Sequence, residues 1–135
     1  MNAATPATAM IARFRDLCLD ANDPHAVGTF WGAVLGREVE LDANGDVTLR
    51  PGADGGPSIS VLRVPEPKTG KVRIHLDVTL EPGQEITDLL GLGATVVAEP
   101  DAVRWWVLAD PGGNEFCAFL PETDATNDAD AEVPV

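Results

Sequence analysis

Residues 105–120, WWVLADPGGNEFCAFL, form the stretch from which the fold of this chain can be worked out. Two apolar arms flank residues 110–114, where proline fixes φ and glycine and asparagine tolerate positive φ, which predicts a β-hairpin. Alternation along the second arm places Glu115, Cys117 and Phe119 on one face of a strand. Glu115 is the first residue on this otherwise apolar face, and a carboxylate there needs a polar partner. Two other predicted strands supply candidates.

Length and charge limit the class of protein. The chain has 135 residues and 44% hydrophobic content, which fits one compact domain with a real core. Its formal net charge of -13 disfavours a nucleic-acid partner and an anionic membrane surface, because both would repel it.

The ends of the chain differ in composition from its middle. Residues 1–11 are predicted to be a flexible N-terminus, residues 12–120 the folded domain, and residues 121–135 an acidic, disordered tail with five acids and no base. The first ten residues have neither a basic start nor an apolar run, so we expect no signal peptide and no membrane span. With no CxxC spacing, both cysteines are expected to be reduced thiols in a cytoplasmic protein.

The first half of the domain, residues 12–64, predicts one strand, one helix and three strands. Residues 13–20 alternate as a strand, Asp23 is a candidate N-cap, and Pro24 fits the first helical turn. Apolar residues at helical spacing over 25–35 end at Gly36. Three further strands are expected at the following positions: residues 37–41, 46–50 (after the Asn44-Gly45 turn) and 58–64.

The second half, residues 72–120, repeats this order after a linker at residues 65–71. A strand is predicted at 72–80, a helix at 82–92, and strands at 94–98, 104–109 and 115–120. Placing Asp16 on His75 also matches Leu17 with Leu76, so an internal duplication is the simplest interpretation. We therefore predict an α+β fold of two βαβββ modules that form a cupped mixed sheet.

Four motifs resemble those of a known superfamily: DLCLDANDPHAVGTFWGAVLG at 16–36, RVPEPKTGKVRIHLDV at 63–78, LGATVV at 92–97 and WVLADPGGNEFCAF at 106–119. Together they resemble the vicinal oxygen chelate superfamily, also called the glyoxalase/bleomycin-resistance/extradiol-dioxygenase superfamily, and within it the small glyoxalase-like domain branch. The resemblance implies the two-module fold, a ligand site inside the cup, and frequent pairing of subunits as a homodimer.

The resemblance also implies a set of metal-binding positions. Carried over, these are Asp16, His75 and Glu115, and a fourth that falls at Leu62, where many close relatives carry glutamine. Leucine cannot bind a metal, so glyoxalase I activity is not expected. Two carboxylates and one imidazole would suit Mn, Fe, Ni, Mg or Zn as a divalent Lewis acid.

A metal-free interpretation stays open beside this one. Asp16, His75 and Glu115 would then form a hydrogen-bonded network in which His75 and Glu115 act as general acid and base. Asp77, two residues after His75 on the same face, would orient the imidazole or contact a ligand. Neighbouring acids should raise the pKa of a thiol, which favours a packing role over nucleophilic attack for the cysteines.

Further side chains are expected to line the cup and contact a small-molecule ligand. Trp105 and Trp106 alternate, so one should reach the cup and stack on a planar ligand while the other packs outside. The remaining members of this predicted ligand-binding set are Cys18, Leu62, Asp77 and Phe119.

Three functions remain open at this point. The first is an enzyme of lyase, isomerase or dioxygenase type that acts on a small oxygenated metabolite. The second is a binding protein that sequesters an antibiotic or metabolite without catalysis. The third is a structural module whose site has decayed. His75 and Glu115 favour the first, whereas Leu62 and the tryptophan pair favour the second.

Overall fold

The computed structural model describes residues 3–7, 9–100 and 105–121. These residues form two modules with the same order of elements. The first contains β1 (Leu17–Ala21), α1 (Pro24–Leu35), β2 (Val39–Leu41), β3 (Val47–Leu49) and β4 (Ile59–Arg63). The second contains β5 (Val78–Thr79), α2 (Ile86–Gly91), β6 (Thr95–Ala98), β7 (Trp105–Ala109) and β8 (Glu115–Phe119).

Each module contributes one four-stranded mixed sheet, with strand order β1-β4-β3-β2 in the first and β5-β8-β7-β6 in the second. In each, the first strand runs parallel to the last, and the remaining pairs are antiparallel. The predicted α+β class and the two βαβββ modules are therefore confirmed.

The helix of the first module begins and ends where its sequence predicts. The Asp23 side chain accepts a hydrogen bond from the Ala26 amide at 3.2 Å, and Pro24 occupies the first turn. Gly36 ends the helix at φ 64°, a left-handed conformation that glycine adopts at little cost.

The first strand is shorter than predicted. We expected residues 13–20, but β1 begins at Leu17, and Phe14 is exposed. The reason is its partner: β4 begins at Ile59, directly after a segment that contains Pro57, so residues before Leu17 have no strand to pair with. Asp16 consequently lies just outside the sheet.

The fifth strand shows the largest departure from prediction. We expected residues 72–80, but only Val78–Thr79 pairs with β8, opposite Ala118 and Phe119. The amide of Cys117 donates to the Asp77 carboxylate at 2.9 Å and not to a strand carbonyl. A side chain has thus taken the hydrogen bond that would have extended the strand, and His75 lies in an irregular segment.

The second helix covers Ile86–Gly91 where residues 82–92 were predicted. The preceding residues form a turn, closed by the Gln84 amide on the Glu81 carbonyl at 3.0 Å, with Gly83 at φ 89°. Glu85 is the N-cap residue of the helix, and the Asp88 carboxylate accepts from its amide at 2.7 Å.

Aromatic packing joins the two modules. Trp31 of α1 lies 4.9 Å from Phe116 of β8 between ring centroids, and Phe30 lies 5.1 Å from Trp31. All three side chains are buried, and such pairs add about 0.5–1.5 kcal/mol each beyond their buried area. The helix of the first module therefore packs on a strand of the second.

Some predictions fall on residues that the structure does not describe. The acidic tail after Pro121 and Arg104, the first residue of the predicted seventh strand, lie outside the described residues, as do Met1, Asn2 and Thr8. In the described part of the chain, neither helix has the length and apolar character needed to cross a bilayer.

Candidate functional site

A cleft of about 360 Å³ opens between the two modules. One wall is β1, a second is the linker that joins the modules, and a third comprises the segment before β5 and the turn before β8. Its lining includes apolar side chains and several that are ionisable: Asp20, Glu66, Lys68, His75, Asp110 and Glu115. A volume of this size suits a small organic molecule.

Glu115, at the start of β8, is held by two groups near it in space. Its Oε2 accepts from the Lys68 ammonium at 3.3 Å, and its Oε1 lies 3.2 Å from the same ammonium and accepts from the Val72 amide at 3.2 Å. Burial would raise the pKa of the Glu115 carboxyl, but the Val72 hydrogen bond, its own amide and Lys68 hold that pKa below its usual value. Glu115 is therefore an ionised partner of the linker.

His75 and Asp77 form a pair on the irregular segment before β5. The imidazole Nδ1 lies 2.7 Å from Oδ1 of Asp77, and the same oxygen accepts from the Cys117 amide. A carboxylate can only accept, so this contact favours the neutral tautomer with its proton on Nδ1, in which Nε2 has the free lone pair of a base. The predicted contact through which Asp77 orients His75 is present.

Asp16 has a different set of partners. Its Oδ2 accepts from the Ser60 hydroxyl at 3.2 Å and lies 3.8 Å from the Cys18 sulfur. Desolvation, together with the Asp16 carboxylate, raises the pKa of the exposed Cys18 thiol. Burial and the charge of Asp77 raise the pKa of the Cys117 thiol to about 12. Neither environment favours a nucleophilic thiolate, as expected from the sequence.

The arrangement does not fit a divalent metal. Glu115 is engaged by Lys68 and Val72, His75 by Asp77, and Asp16 by Ser60. Across residues 3–7, 9–100 and 105–121, no three His, Cys, Asp or Glu side chains are placed to hold one ion. Leu62, the fourth position that the resemblance implies, pairs with Asp20 across β1 and β4 and offers no ligand atom.

The two tryptophans lie on opposite faces of β7, as the alternation predicts, but the expectation that one of them reaches the ligand cleft does not fit the structure. Trp106 packs against the hydrophobic core, whereas Trp105 lies on the other face and packs against Phe119 in a tilted arrangement, with ring centroids 5.5 Å apart. Trp105 is only 5% exposed, so its ring is largely covered by the protein itself. Neither tryptophan is among the residues that line the cleft.

One polar residue at the site was not identified as functional from the sequence. Asp110 is 3% exposed and accepts from the Trp31 indole at 2.8 Å, the Gly112 amide at 2.9 Å and the Asn114 amide at 3.0 Å. The sequence indicated turn chemistry for residues 110–114, which is confirmed. It gave no signal of the indole, which is 79 residues away along the chain.

The family of the chain follows from comparison with known proteins. The profile of the Glyoxalase-like domain family matches residues 16–119, which include both modules. The chain therefore belongs to the glyoxalase-like domain family, as the motifs at 16–36 and 106–119 led us to expect.

Solved structures agree on the fold. A possible glyoxalase from Bacillus cereus superposes with a TM-score of 0.60 at 19% identity, covering 79% of this chain and 97% of that one. A glyoxalase/bleomycin resistance protein/dioxygenase from Nocardioides gives 0.58 at 19% identity, covering 89% and 91%. A glyoxalase/bleomycin resistance protein from Albidiferax ferrireducens gives 0.56 at 20%, covering 81% and 98%. No curated protein sequence matches the chain.

Proposed function

We propose that this protein binds a small oxygenated organic molecule in the cleft between its modules and transfers a proton with His75, without a metal. The reaction type is that of an isomerase or lyase, in which a base removes a proton next to a carbonyl group. The observation that carries the proposal is the pair of Asp77 and His75, 2.7 Å apart, in which His75 lines the cleft. It supports a base at Nε2 with a fixed tautomer.

The other two residues of the predicted catalytic set have supporting roles in this proposal. Asp16 lies beside Ser60 and Cys18, and Glu115 is tied to the linker. Glu115 lines the cleft and would shape it and its charge, Asp16 does not line it and would hold Ser60 and Cys18 beside it, and His75 would move the proton. Among the predicted ligand-contacting residues, Cys18 lines the cleft and Asp77 acts through His75.

The test begins with a thermal-shift screen of hydroxy- and oxo-carbonyl compounds against protein treated with EDTA, followed by product detection by NMR. His75→Gln should lower kcat about 10²–10⁴-fold, the usual contribution of a general base, and leave the Kd within a few-fold. The matched control is His25→Gln, because His25 is the other histidine of the chain and is exposed on α1. Turnover that survives His75→Gln, or that requires added metal, would overturn the proposal.

A second candidate function is sequestration of a cationic molecule without turnover. Asp20 and Glu66 line the cleft, and neither carboxylate has an ion-pair partner in the described part of the chain. Two free carboxylates attract a cation and raise its local concentration. Saturable binding of an amine compound that gives no product, weakened by Asp20→Asn, would support this function over the enzyme.

We also propose a homodimer that acts in the cytoplasm. Exposed apolar side chains lie on β2 (Val39 and Leu41) and on β6 (Val96 and Val97), and these support self-association. Both cysteines are free thiols, which supports a reducing compartment. Light scattering coupled to size-exclusion chromatography measures the oligomeric state, and a monomer at micromolar concentration would contradict the dimer.

A further inference from the structure

The segment between the modules is built into the cleft. Four consecutive residues of the linker, Glu66, Pro67, Lys68 and Thr69, line it, as does Val72 after the linker. The sequence indicated only a connection between two modules at 65–71. Because it forms a wall, its position decides the width of the cleft, and we name residues 65–70 the strap.

The first module holds one end of the strap through a single amide. Nδ2 of Asn22, just after β1, donates to the carbonyl of Val64 at 2.8 Å and to that of Glu66 at 2.8 Å. The Val64 amide in turn donates to the Ala21 carbonyl at 3.0 Å. This end therefore continues the backbone pairing of β1 and β4.

The second module holds the other end through a single carboxylate. Glu115 accepts from the Lys68 ammonium within the strap and from the Val72 amide just beyond it. The Lys68 ammonium also donates to the Gly70 carbonyl, which closes the loop on itself. Residues 68–72 are thus held next to one carboxylate, with no backbone pairing between this segment and β8.

We infer that Glu115 is the clasp of the strap, a positioning residue whose contacts with Lys68 and Val72 keep the cleft closed on one side, and that this clasp opens when a ligand enters or leaves. The Asn22 end acts as the hinge, because its hydrogen bonds join backbone carbonyls next to a paired strand. The gating part rests on the proposed ligand site, whereas the clasp itself does not.

The charges at the clasp favour a weak, reversible fastening. The side chains of Lys68 and Glu115 are 26% and 18% exposed, so solvent and salt screen part of their attraction. Asn22, by contrast, makes uncharged hydrogen bonds. High salt should therefore loosen the Glu115 end and leave the Asn22 end in place.

The first test follows amide hydrogen exchange in the full-length protein without any ligand. Exchange of the Val72 amide should speed up about tenfold in Glu115→Ala, the loss expected for a hydrogen bond to a charged acceptor. Glu115→Gln, which keeps an acceptor oxygen, guards against failure of the alanine variant to fold. The matched control is Glu40→Gln, which breaks the 2.7 Å ion pair with Arg50 on the far edge of the first sheet and should leave Val72 unchanged.

A second variant separates the charge from the shape of the clasp. Lys68→Met keeps the aliphatic stem and removes the ammonium. In the wild type, 1 M NaCl should accelerate amide hydrogen exchange at residues 68–72, and this acceleration should be absent in Lys68→Met. Exchange at Leu108 and Phe116, in the buried strands of the second sheet, should stay the same in every variant. A Val72 amide that is unprotected in the wild type, or equally protected in Glu115→Ala, would overturn the clasp.

Gating is tested with Cys18 as a built-in probe, because this exposed thiol lines the cleft. Opening the strap should raise the rate at which a bulky fluorescein maleimide labels Cys18 several-fold. The rate at which the small reagent iodoacetamide labels Cys18 should change less than twofold. In Glu115→Ala and in Lys68→Met, equal effects on both reagents, or no effect on either, would overturn the gate. Neither readout uses a substrate, so failure of the proposed reaction would leave this result standing.

Discussion

The two modules share one topology but hold their first strands differently. In the first module, β1 pairs with β4 over five residues, from Leu17 opposite Ile59 to Ala21 opposite Arg63. In the second, β5 pairs with β8 over two residues only. The first module has a continuous ladder where the second has an irregular segment of chain.

Side chains replace the missing ladder in the second module. Asp77 accepts the Cys117 amide, and Glu115 accepts the Val72 amide. Backbone groups must be satisfied wherever they lie, and carboxylates accept from amides more strongly than carbonyls do. The comparison shows that the first module serves as a scaffold. In the second module, side-chain hydrogen bonds near the cleft replace the backbone pairing between the first and last strands.

The largest expected effect concerns the contact that joins the modules. Asp110→Ala should lower the free energy of unfolding by about 3 kcal/mol, because the buried indole and the turn amides lose their acceptor. The contrast is Asp88→Ala in α2, whose carboxylate caps one amide on an exposed face and should contribute about 1 kcal/mol. Chemical denaturation measures both, and equal losses would mean that Asp110 does not connect the modules.

Glycine substitutions should have opposite signs in the two helices. In α1, a Cβ at Gly28 would lie 2.5 Å from Cγ1 of Val47, so Gly28→Ala should destabilise by about 1–3 kcal/mol through overpacking. In α2, a Cβ at Gly91 meets nothing within 4 Å, so Gly91→Ala should stabilise by about 0.5 kcal/mol. The same denaturation curves measure the pair, and destabilisation by Gly91→Ala would show that α2 is packed as closely as α1.

The last effect concerns pH at the start of β8. The folded protein holds the pKa of Glu115 below its usual 4.5, so its stabilising contribution is present above pH 4.5 and is lost as the pH falls through the lower folded value. The free energy of unfolding of the wild type should therefore exceed that of Glu115→Gln by about 1 kcal/mol at pH 7, and the two values should be equal in strong acid. A difference that stays constant with pH would contradict an ionised, paired Glu115.

Local signals explain why the fold could be predicted. The ends of α1 are set by Asp23, Pro24 and Gly36, because capping depends on neighbouring residues. Residues 110–114 make their turn for the same reason. The match of Leu17 with Leu76 and the repeated order of elements indicated two modules. Residue propensity and hydrophobic periodicity were sufficient to predict each element whose formation depends on its own residues.

The site could be predicted only in part, because it depends on distant partners. The alternation over residues 72–80 fits a strand, but whether a strand forms depends on its neighbour, and Asp77 takes the Cys117 amide instead. Lys68 and Glu115 are 47 residues apart, and no pattern links them. The sequence placed His75, Asp77 and Cys18 near one cleft, yet it could not show that Glu115 holds the linker.

The tautomer of His75 tests the central claim most directly, namely that the irregular segment of the second module positions a base. Nitrogen-15 NMR of the imidazole rings at neutral pH distinguishes the two tautomers, and His25, exposed on α1, is the only other histidine and serves as an internal reference. We predict that His75 carries its proton on Nδ1, bound to Asp77, and that Asp77→Ala abolishes this preference while His25 stays unchanged. A His75 ring protonated on Nε2, or one indifferent to Asp77→Ala, would contradict the account.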